Sequence, residues 1–66
     1  MVTMKRDLLM IEQYCRIRSA QSEQIEVEMA DYLLVIEGNN LMMQAMTKDE
    51  ILLKGLIYCV RVEDYA

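Results

Sequence analysis

The chain has 66 residues and a mass of 7.8 kDa, so it makes one domain at most, residues 1–66. It has no His, Trp, Phe or Pro, and 7 Lys and Arg against 11 Asp and Glu give a formal net charge of −4. These numbers exclude a separate cofactor domain, the basic stripe of nucleic-acid binding, and histidine as general base or metal ligand.

The N-terminus carries a basic pair, Lys5-Arg6, followed at once by Asp7. The apolar stretch after it, residues 8–11, is too short for a signal h-region or a membrane span. No longer run elsewhere can cross a membrane, so the chain has no span of its own. Residues 8–12 and 16–19 read as a hairpin joined through Gln13-Tyr14-Cys15. They read equally well as one helix. Met4, Leu8, Ile11, Cys15 and Arg18 follow helical spacing, and no Gly or Pro interrupts residues 5–24. In the strand reading residues 19–23 are a loop.

Residues 24–29 alternate. Ile25, Val27 and Met29 take one face and Glu26 and Glu28 the other, as in a half-buried antiparallel strand. Residues 32–36 are apolar throughout, which predicts a strand covered on both faces. Glu37-Gly38-Asn39-Asn40 reads as a turn, with Gly38 and Asn39 as its structural residues. Residues 41–46 return to apolar, and residues 47–50 predict a type I turn. Residues 50–54 alternate again. Gly55 marks a bulge or tight bend, and residues 56–62 are a last strand.

Few residues offer chemistry. Glu26 and Glu28 are a carboxylate pair, but an alternating strand predicts a solvated face for them. Lys48-Asp49-Glu50 is a polar turn with too few oxygens for a hard cation. Cys15 and Cys59 belong to no CxxC pair, and reduced, buried thiols are the expectation. Arg16, Arg18 and Arg61 are expected to pair with surface glutamates. No catalytic residue, metal ligand or cofactor site emerges. Met42 and Met43 are consecutive, so in a strand they point to opposite faces. One of them must meet a second layer or a partner.

From Tyr32 onward, YLLVIEGNNLMMQAMTKDEILLKGLIYCVRVED resembles the core of the YabP/YqfC family of sporulation proteins. The matching positions are Ile36, Gly38, Leu41, Met43, Glu50, Ile51, Leu53, Gly55, Ile57 and Val62. Upstream, LLMIEQYCRI is similar to the family's first hairpin, with Glu12 and Tyr14 in matching places, and EQIEVEM is similar to the strand that follows. Gln13 and Arg16 stand where the family has Asn and Gly. The resemblance covers roughly residues 7–64, built on apolar spacing and two glycines. It implies strands in the first third. It also implies a non-enzymatic protein of endospore formation, made in the mother cell, cytoplasmic and associated with the forespore surface. Such proteins are linked to assembly of the coat or cortex and to membrane-associated sporulation partners.

The expectation is therefore an all-β domain, a small antiparallel meander of about six or seven short strands. The sheet would curl into a partial barrel or roll around Ile25, Val27, Leu34, Ile36, Leu41, Met43, Ile51, Leu53 and Ile57. So small a sheet leaves edges and one apolar face uncovered. Protein partners, and a homo-oligomer, are the expected remedy. The side carrying Leu33, Met42 and Leu52 is the candidate contact surface. The alternative is a small intracellular regulator, such as a phage or toxin–antitoxin component, with a helical N-terminal arm.

Overall fold

The computed structural model describes residues 2–5 and 7–64. The regular elements are β1 (Val2–Lys5), β2 (Leu8–Glu12), β3 (Arg16–Ala20), β4 (Gln24–Glu28), β5 (Tyr32–Met46) and β6 (Glu50–Asp64). All are strands, and all pairings are antiparallel in one sheet of order β1-β2-β6-β5-β4-β3. The sheet is open, with β1 and β3 at its ends.

β3 to β6 follow meander order. The expected meander breaks at β2, which pairs with β6 rather than with β3. The expected hairpin of residues 8–12 with 16–19 is therefore corrected. Both segments are strands, but they pair with different neighbours. The helical arm of the alternative reading falls with it, because Leu8 and Ile11 lie on β2. Gln13, at φ 62, turns the chain between them. Its N–H donates to the Asp49 carbonyl at 2.8 Å, and the Cys15 N–H donates to the Glu28 carbonyl at 2.7 Å. The Tyr14 hydroxyl donates to the Thr47 carbonyl at 2.8 Å. The crossing is thus held at both ends and in the middle.

The sequence also predicts short strands on either side of residues 37–40 and of Gly55. Instead β5 and β6 are each 15 residues long and run through both places. Residues 37–40 are not a turn but part of a crease. β2 pairs with residues 50–54 of β6, while β4 pairs with residues 33–37 of β5. Yet Leu9 and Ile11 of β2 share one core cluster with Ile25 and Val27 of β4. The long hairpin therefore folds over on itself, and its two halves lie as two layers with the core between them.

The crease needs its glycines. A Cβ on Gly55, at φ 140, would meet the Asn40 carbonyl oxygen at 2.6 Å. Asn40 takes a left-handed φ of 55, whereas Asn39 beside it does not. Register shifts between Glu37 and Gly38 and between Asn39 and Met42 supply the bend. Two hairpin turns then seat on it. The Glu23 and Ser22 carbonyls accept from Gly38 and Leu41 at 3.0 and 2.8 Å, and the Asp7 carbonyl accepts from Gly55 at 3.1 Å.

The core holds Leu9, Ile11, Ile25, Val27, Met29, Leu34, Ile36, Leu41, Ile51 and Leu53, with Met43 and Ile57 packed partly buried against it. Each fully buried aliphatic side chain contributes roughly 1.5–3 kcal/mol. Leu33 and Val35 are also buried, but on the opposite face of β5. The sequence therefore reads correctly that residues 32–36 are covered on both sides.

Candidate functional site

The outward face of β2 and of the adjoining halves of β6 and β5 follows from register. Met10 pairs with Leu52, and Leu52 with Ala45. One step along, Leu8 pairs with Lys54, and Lys54 with Met42. Glu12 pairs with Glu50 at the other end. Ile51 and Leu53 between these residues point inward to the core. The result is an apolar centre with charge at its margins. Met42 is 62% exposed and Met10 36%. A groove of about 180 Å³ opens beside Leu52, lined by Met10, Ala45, Thr47, Glu50, Ile51 and Leu52.

Local chemistry fixes this surface. Thr47 Oγ1 accepts from the Glu50 N–H at 3.0 Å and the Asp49 N–H at 3.3 Å, which sets the tight turn between β5 and β6. The predicted turn at residues 47–50 lies here. Its hydroxyl is thereby taken up, and the remaining polar side chain of the groove is Glu50. Such a lining suits contact with apolar side chains.

The three residues expected to share a contact surface divide. Met42 and Leu52 lie on this face. Leu33 does not, and that part of the expectation is corrected. It sits in the other half of the hairpin at 5% exposure, between Glu28 and Glu63. Alternation alone could not place it, because the crease separates residues 33 and 42 into different layers. Met10 and Ala45 are the members that sequence reading missed. The signal for Met10 was present, since it alternates with Leu9 and Ile11.

The outer face of the other layer is charged. Val35 lies between Glu26 and Arg61, and Glu37 pairs with Cys59. Arg16 Nε meets Glu28 at 3.1 Å, Arg61 Nε meets Glu63 at 3.2 Å, and Arg61 also pairs with Glu37. Glu63 first, then Glu37, hold the Arg61 guanidinium above its ordinary pKa. Glu26 and Glu28 are half-buried here, so they belong to a cover over Leu33 and Val35 rather than to a freely solvated face. Arg16 and Arg61 pair with glutamates as expected. Cys15 and Cys59 are both exposed and free, which corrects the expected burial.

Among the described residues no helix is long and apolar enough to cross a membrane. The chain matches no protein-family model, no curated protein and no solved structure.

Proposed function

We propose that the chain is a non-enzymatic assembly module of the endospore, working by protein–protein contact in the coat or cortex layers. The resemblance of residues 7–64 to the YabP/YqfC pattern gives this reading its setting, in the mother cell at the forespore surface. One observation carries the contact mechanism. Exposed Met10 and Met42 flank half-buried Leu52 in an apolar centre on an ordered sheet face. Exposed apolar surface rimmed by charge marks interaction sites.

A fluorescent fusion expressed in a sporulating, endospore-forming bacterium tests the reading. The parent chain is expected to collect at the forespore periphery. The Met42→Glu, Leu52→Glu double variant is expected to stay diffuse in the mother cell. A parent fusion that is diffuse throughout sporulation contradicts the proposal.

A further inference from the structure

The outward residues of β6 on this face are, in order, Glu50, Leu52 and Lys54. A strand advances roughly 3.4 Å per residue, so Glu50 and Lys54 stand about 7 Å on either side of Leu52. Neither forms an ion pair among the described residues. Glu12 lies beside Glu50, so one end of the face is acidic. Leu8 and Met42 flank Lys54 at the other end. The face is therefore acidic, apolar and basic along one strand direction.

That pattern is complementary to itself reversed. We propose that a second copy of this chain covers the face, in a two-fold dimer with β6 antiparallel over β6. In a two-fold interface, if residue i meets residue j, then j meets i. With the axis passing over Leu52, Glu50 meets Lys54 of the second copy, and Lys54 meets its Glu50. The two Leu52 side chains meet at the centre. Parallel stacking would set Glu50 on Glu50 and Lys54 on Lys54, and like charges brought together oppose it. Two sheet faces stack about 10 Å apart with interdigitating side chains. Met10 and Met42 are unbranched and adaptable, which suits them to fill the groove beside Leu52. The proposal rests on reading this face as the contact surface and names its occupant and register.

Charge exchange tests the register on the full chain, read as mass by light scattering across a concentration series. Glu50→Lys alone puts lysine at both charged β6 positions of the face, and Lys54→Glu alone puts glutamate at both. Each is expected to weaken dimerisation roughly tenfold. The Glu50→Lys, Lys54→Glu double variant is expected to recover the parent affinity. An equimolar mixture of the two single variants is expected to form the heterodimer. Circular dichroism checks that each variant keeps its fold. A double variant as weak as the singles, or singles as tight as the parent, overturns the register, even where Leu52→Glu dissociates the dimer and so keeps the face. A parent chain that is monomeric at every concentration overturns the second copy as occupant. In that case loss of forespore recruitment in the Met42→Glu, Leu52→Glu variant still judges the contact reading by itself.

Discussion

A Cβ added to Gly38 would lie 2.0 Å from the carbonyl oxygen of Leu56 on the facing strand. The obstacle is backbone, so no side-chain rotation relieves it. The strand pair must separate at the point where the hairpin creases, and the two turns that seat there lose their bonding geometry. Gly38→Ala is expected to destabilise the domain by about 3 kcal/mol. Urea denaturation followed by circular dichroism measures this. A change below about 1 kcal/mol would show that the crease tolerates opening.

Val35 is fully buried although it lies outside the central core cluster. Val62 carries the same side chain on β6 at 60% exposure. Val35→Ala is expected to cost roughly 2 kcal/mol through lost burial and a cavity. Val62→Ala is expected to stay within about 0.5 kcal/mol. Parallel unfolding curves of the two variants check the contrast. Equal losses would mean that the charged side chains around Val35 do not exclude water.

Much of this layout is legible in the sequence. Alternation at Ile25 and Val27, and at Ile51 and Leu53, places four core residues correctly because a strand's period of two is local. The opposite orientations of Met42 and Met43 follow from the same rule. The crease is not legible in this way. A glycine between apolar runs has the same local signature in a tight turn and in a bent, continuous strand. What distinguishes them is the close approach of Gly38 to Leu56 and of Gly55 to Asn40, contacts between strands distant in sequence. The crease in turn decides that Leu33 and Met42 lie in different layers. It also decides that β2 meets β6, so residues 8–12 and 16–19 do not pair.

Arg61 bridges Glu37 and Glu63 over the outer face of β5 and β6. Its folded pKa is raised, so its contribution is present below the ordinary arginine pKa. That contribution is lost only as pH rises through the raised value, so Arg61 stays charged across the neutral range. The pairs are exposed and therefore screened by salt. Arg61→Gln is expected to lower the thermal midpoint at low ionic strength and to match the parent chain at about 1 M salt, where the Debye length is about 3 Å. A deficit that persists unchanged at high salt would assign Arg61 a packing role instead.

Cys15 and Cys59 are free and exposed. Both are expected to react with an aromatic disulfide reagent in the native protein, without denaturant. The count is expected to be two thiols per chain. A count of zero that rises to two only after reduction would mean that they are oxidised to each other or between chains.

The contact face itself is tested most directly by its methionines, which report from different places. Met10 and Met42 lie on the proposed interface, whereas Met29 is in the core at 4% exposure. Methyl NMR of methionine-labelled protein, recorded from dilute to concentrated solution, separates these environments. The Met10 and Met42 methyl resonances are expected to shift together with concentration, following one binding curve, while Met29 stays fixed. Met10 and Met42 resonances that remain in place while the protein associates through other residues, or that never move at any concentration, would contradict the assignment of this face to a second copy.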